Sequence, residues 1–166
     1  MEDEIKDVII YGEKEKEIRF TLSFKCILAI SIGLTGLLSL VGIGYLIYGT
    51  LTESWRTQGI NNFLYQCLFY ISIILCFVAL VNIAVIKKPF SKILVWCFMA
   101  IGILFVLSSF TFTHIEGYRC SYFTLFSFGK FTLIDGTIFI IGVLGILFAK
   151  VIHYGFIYQK NTDMTI

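Results

Sequence analysis

Four long apolar runs, residues 26–48, 63–86, 93–113 and 132–158, divide the chain, and the charged residues gather in short clusters between and around them. The first three runs hold no charged side chain at all. A helix of ~20 mostly apolar residues crosses the ~30 Å of hydrocarbon in a bilayer, so each run is long enough to span one. The pattern predicts helices over about 23–49, 62–86, 91–113 and 132–160, preceded by a charged lead at 1–22. The expected fold class is all-α: an integral membrane domain over 23–166, an antiparallel bundle of four transmembrane helices with both termini in the cytosol.

The breaks between the runs carry turn chemistry. Gly49, after Tyr45 and Tyr48, is expected as a left-handed stop for the first helix. A short loop with Glu53, Trp55 and Arg56 follows, and Asn61 or Asn62 is expected to cap the second helix. The middle turn, Lys87-Lys88-Pro89-Phe90-Ser91-Lys92, holds the only proline in the chain. Proline cannot donate a backbone hydrogen bond and biases Lys88 away from helix, so one helix ends and the next restarts, with Ser91 as its expected cap. Residues 114–131 form the longest connection and are rich in aromatics, which suit an interfacial belt or a short lid lying on the bilayer. Thr132-Leu133-Ile134-Asp135 matches a capping box, placing Thr132 at the helix start and Asp135 on its first free amides.

Small and polar residues within the runs predict contacts. At ~100° per residue, Ser31, Thr35, Ser39 and Gly42 fall on one stripe of the first helix, and Gly33, Gly36 and Gly44 on another about half a turn away. Small residues let membrane helices approach closely, so two stripes predict two packed neighbours. Gly145 and Ala149 offer the same kind of contact on the last helix. Asn82 and Asp135 are the candidate intramembrane polar residues. Asn82, about a turn from the end of its helix, is expected to hydrogen-bond a neighbouring helix or water.

Composition agrees with this reading. Hydrophobic residues make up 58% of the chain and charged ones only 14%; with a mean hydropathy of +0.89, a soluble domain of this size would have to expose much apolar surface. The acidic start, Met1-Glu2-Asp3-Glu4, and the length of the first run predict a retained helix rather than a cleaved signal peptide. The five cysteines show no paired CxxC spacing, so neither a disulfide framework nor a zinc site is expected. Lys and Arg near the helix ends set sidedness: Lys14, Lys16, Arg19, Lys25, Lys87, Lys88, Lys92, Lys150 and Lys160 fall on one side, against Arg56, Arg119 and Lys130. The richer side is expected to be cytosolic, placing a multi-pass protein in the cell membrane with Cys120 outside.

No Ser/His/Asp or Cys/His grouping, phosphate loop or carboxylate pair is present, and His114 and His153 are expected on opposite sides of the membrane. The expectation is therefore no enzyme, no cofactor, no metal and no direct contact with nucleic acid. Working surfaces are sought instead on the cytosolic face, with Lys87, Lys88, Pro89 and Phe90 of the turn and Gln159 and Asp163 of the tail as candidate partner-binding residues.

Two motifs resemble a known pattern. Lys88-Pro89-Phe90-Ser91 resembles the basic-Pro-Phe-Ser/Thr turn between the second and third helices of a family of small bacterial four-helix membrane proteins, classed as a domain of unknown function. The tail, Gln159-Lys160-Asn161-Thr162-Asp163-Met164-Thr165-Ile166, is similar to that family's polar ending closed by Asp-Leu-Thr-Ile. The chain departs from the family in having only Lys92 as a basic residue after the Pro-Phe turn. Members are often encoded beside a small helix-turn-helix regulator, so the resemblance implies such a regulator as a cytosolic partner. The resulting expectation is a regulatory or partner-binding membrane protein, in contact with the lipid bilayer. The alternative is a small transporter or an immunity-type self-protection protein working through the helix interior.

Overall fold

A computed structural model of the protein describes residues 21–87, 90–118, 123–129 and 131–163, with residue 131 and residues 159–163 described by backbone alone. In chain order these form α1 (Leu22–Leu51), the short α2 (Ser54–Gln58), α3 (Ile60–Ile86), α4 (Lys92–Thr111), strands β1 (Thr124–Phe128) and β2 (Phe131–Asp135), and α5 (Gly136–Asp163). Helices α1, α3 and α5, and α4 with the 3-10 turn Phe112–His114 that extends it, are each long and apolar enough to cross a membrane. At 1.5 Å per residue, the 30 residues of α1 reach about 45 Å, long enough for both ends to stand in the headgroup zones.

What these helices leave uncovered places them in lipid. Only 11–22% of each spanning window is buried inside the protein, and Ile30, Leu40, Val85 and Trp96 keep 71–73% of their surface open. In water, every Å² of such apolar surface is unfavourable by roughly 25 cal/mol, whereas hydrocarbon accepts it. The helical backbone meets the other demand of a bilayer, because its N–H and C=O groups satisfy one another.

Packing follows the chain: α1 lies on α3, α3 on α4, and α4 most extensively on α5, with no comparable contact between α1 and α5 among the described residues. The α1 seam recurs every seven residues, at Leu28, Thr35, Gly42 and Gly49, the repeat that keeps one stripe facing a partner helix. A Cβ on Gly42 would lie 2.6 Å from the Tyr70 ring, and one on Gly49 would lie 2.7 Å from the Phe63 ring. Between α4 and α5 the backbones themselves meet. A Cβ on Gly102 would stand 2.7 Å from the Ile146 nitrogen, and one on Gly142 would stand 2.7 Å from the Val106 nitrogen. Gly145 faces Gly102, and Ala149 is fully buried, so the contact expected at these small residues is present.

Two clusters form the core. Leu28, Ala79, Ile83, Leu94 and Cys97, with Ile152 against them, join all four spanning helices at the end that carries the 87–92 turn. Leu68, Phe112 and Ile138, with Phe105 and Tyr118, fill the hairpin end without α1.

The structure corrects several expectations. The fold is mostly helical but not purely so: residues 124–135 form an antiparallel hairpin, with Thr124 opposite Asp135 and Phe128 opposite Phe131. The aromatic and β-branched residues on both sides of Gly129 favour strand, and Gly129 supplies the positive φ of 61° that the tight turn needs. The last helix therefore starts at Gly136 rather than 132. Gly49 does not stop α1, which continues to Leu51; its missing side chain makes room for Phe63. Gly59, at φ 86°, precedes α3 instead of an asparagine cap. The second stripe of α1 finds no second helix: a Cβ on Gly36 would lie 3.0 Å from the Phe77 ring of the same neighbour, α3, and one on Gly33 or Gly44 would meet nothing within 4 Å.

Candidate functional site

The polar side chains of the spans gather at the two helix ends. At the turn end, α3 closes where Lys87 adopts a left-handed conformation, φ 55°, and its N–H bonds to the Ile83 carbonyl at 3.0 Å. An L-residue held there costs about 1–2 kcal/mol. Ser91 opens α4 as expected: its Oγ accepts the Leu94 N–H at 3.2 Å and donates to Asn82 Oδ1 at 2.6 Å. Asn82 thus bonds the start of the next helix, and Ser91, capping and donating at once, is buried. Phe90 closes the turn from the other side, its ring lying where a Cβ on Gly155 would come within 2.9 Å.

Among the turn candidates, then, Lys87 is an exposed side chain on a strained cap, and Phe90 is seated on α5. Lys88 and Pro89 lie outside the described residues. Gln159 and Asp163 belong to α5 by their backbone, beginning about one turn beyond Gly155, but their side chains lie outside the description.

At the hairpin end, Asp135 is fully buried. It is itself the cap of α5, which corrects the expectation that Thr132 starts the helix: Asp135 Oδ1 accepts the N–H groups of Thr137 at 3.1 Å and Ile138 at 3.3 Å. Its Oδ2 accepts the Tyr118 hydroxyl at 2.8 Å. The Tyr118 and Tyr65 hydroxyls are 2.7 Å apart and their rings stack. With the Tyr118 proton directed at Asp135, Tyr65 donates in turn to Tyr118. Burial first, then these hydrogen bonds, pushes the Tyr118 hydroxyl far above the ordinary tyrosine range, so it stays a proton donor. Asn61, expected as a cap, donates instead to the Glu116 carbonyl at 3.3 Å, and the Thr113 hydroxyl shares its proton between the Phe110 carbonyl at 2.8 Å and the Leu133 carbonyl at 3.1 Å. Thr113 thereby ties the hairpin to the end of α4, and Tyr65, through Tyr118, ties it to α3.

Beside this network, a cleft of about 200 Å³ opens between α3 and α5, lined by Tyr65, Leu68, Phe69, Phe105, Thr137, Ile138 and Ile141. His114 belongs to this end and His153 to the other, and no three His, Cys, Asp or Glu side chains converge among the described residues. Tyr65 and Tyr118 are the network members that sequence reasoning missed. They stand 53 residues apart, and nothing local marks a tyrosine that will meet an aspartate across the fold.

Fold and site together define a class: a multi-pass membrane protein whose Asn82 and Asp135 each bond a helix start. Comparison of the chain with protein-family models, curated proteins and solved structures finds no match in any of the three.

Proposed function

We propose that the protein is a regulatory, partner-binding protein of the bacterial cell membrane, an antiparallel four-helix bundle with both termini in the cytosol, acting through its basic turn. The observation that supports this reading is the way the turn is built. The Lys87 N–H, the Asn82–Ser91 bond and the Phe90–Gly155 contact hold the described residues of the turn, Lys87, Phe90 and Ser91, while the Lys87 and Lys92 side chains stay exposed. Residues fixed on either side of a binding segment reduce the entropy lost on binding. The resemblance of Lys88-Pro89-Phe90-Ser91 to the turn of four-helix bacterial membrane proteins favours a cytosolic helix-turn-helix regulator as the partner.

The test is co-purification of the tagged protein and the candidate regulator from detergent extracts. Retention by the wild type, and its loss on charge reversal at Lys87 and Lys88 with unchanged membrane levels, is the expected result. No retained regulator, with regulation intact after deletion of the protein, rejects the proposal.

A second reading, transport or self-protection through the helix interior, draws on the cleft beside Asp135. It requires that Asp135→Asn or Asn82→Leu abolish transport or resistance while the protein remains abundant in the membrane.

A further inference from the structure

A second groove lies between α4 and α5 at the turn end. It has a volume of about 410 Å³ and is lined by Lys92, Val95, Trp96, Met99, Lys150, His153 and Phe156. It is on the outside of the helix pair, not in the core: Trp96 is 73% exposed, and both lysines are exposed. One part of the lining is cationic or hydrogen-bonding, and the rest is apolar.

Lys150 is the informative residue. It follows the fully buried Ala149 on the α4–α5 seam and stands eight residues inside the Tyr158 end of the span, about 12 Å at 1.5 Å per residue. Side chains of a helix lean toward its N-terminus, which for α5 is the hairpin end. The Lys150 stem must therefore bend against that lean for its ammonium to reach the headgroups. Lys92, in the first turn of α4, leans the other way, toward the turn. Both lysines nonetheless line one groove, and neither has a carboxylate partner among the described side chains. An anion stabilises two amines beside hydrocarbon, and lipid headgroups at the same depth can supply one.

We infer that this groove binds an acidic phospholipid, its phosphodiester held between Lys92 and Lys150 and its acyl chain laid along Val95, Trp96 and Met99. Basic pockets between membrane helices select anionic headgroups in this manner. The apolar lining separates a lipid from a soluble phosphate, which would leave Trp96 and Met99 uncovered. The inference needs only the membrane placement of the helices; it shares Lys92 with the proposed docking turn, but Lys87 and Lys88, whose charge reversal tests that turn, do not line the groove.

The chain holds two tryptophans, so Trp55→Phe leaves Trp96 as a reporter inside the groove. The full-length variant, in neutral detergent, is titrated with phosphatidylglycerol and with phosphatidylcholine carrying brominated acyl chains, and quenching of Trp96 is read. Quenching by phosphatidylglycerol at a much lower mole fraction is expected, with roughly fivefold of that preference lost for each lysine changed to glutamine. Lys92→Arg with Lys150→Arg should retain the preference, which separates lost charge from misfolding. Equal quenching by the two lipids, or an undiminished preference in Lys92→Gln/Lys150→Gln, overturns the proposal. So does full displacement of phosphatidylglycerol by soluble glycerol 3-phosphate, which would assign the site to a free phosphate.

Discussion

Asp135 shows how one side chain can carry several structural tasks. It caps α5, receives Tyr118, and through Tyr118 is joined to Tyr65 of α3. Asp135→Ala removes a helix cap and leaves a buried hydroxyl without its acceptor, together about 2–4 kcal/mol. We expect a clear loss of thermal stability in detergent, and a smaller one for Asp135→Asn, whose amide oxygen still accepts. The pH dependence follows from Tyr118. Unfolded, its hydroxyl releases a proton near pH ~10; folded, it holds that proton to higher pH. Above pH ~10 the folded state therefore binds more protons than the unfolded one, and stability falls as pH rises. Tyr118→Phe should flatten that alkaline decline, measured as melting temperature against pH.

At the scale of elements, glycine has different meanings in different places. Gly102 and Gly142 face backbone that cannot move aside, so Gly102→Val or Gly142→Val should force α4 and α5 apart and cost about 1–3 kcal/mol or more. Gly33 and Gly44 face open space, and Gly33→Ala or Gly44→Ala should be neutral or stabilising by about 0.5–1 kcal/mol through helix propensity. The same unfolding assay on the four variants separates contact glycines from bystanders. The sequence placed small residues on both sides of α1 but not which side had a neighbour. Angular spacing along one helix is a local property, whereas occupancy depends on where α3 lies. The hairpin was missed in the sequence reading, although aromatic and β-branched residues on both sides of a Gly-Lys pair favour strand. The capping-box pattern at 132–135 competed with it, and the pairing of Thr124 with Asp135 decided the outcome.

For the molecule as a whole, the proposed sidedness puts the 87–92 turn and both chain ends in the cytosol. A cysteine placed at Lys87 in a chain with its five native cysteines replaced should react with an impermeant maleimide only after cells are opened. One placed at Phe128, on the exposed tip of the hairpin, should react in intact cells. Labelling in the reverse order would invert the molecule and remove the cytosolic turn on which the proposed function depends. Cys120 carries the same expectation but lies outside the described residues.

By itself, the sequence determined the membrane class, the number of spans, the position of the middle turn and the Ser91 cap. Each of these rests on local composition: long uncharged runs have no stable place in water, and a proline between lysines stops a helix wherever the rest of the chain lies. Only the tertiary structure decided that Asn82 bonds Ser91, that Asp135 gathers two tyrosines, that Gly102 meets Gly142, and that Lys92 and Lys150 line one groove. These pairs lie between 9 and 70 residues apart in the chain, and an apolar helix offers nearly the same surface in every direction. The choice of neighbour therefore rested on where small side chains let backbones touch and where polar groups, excluded from hydrocarbon, found one another.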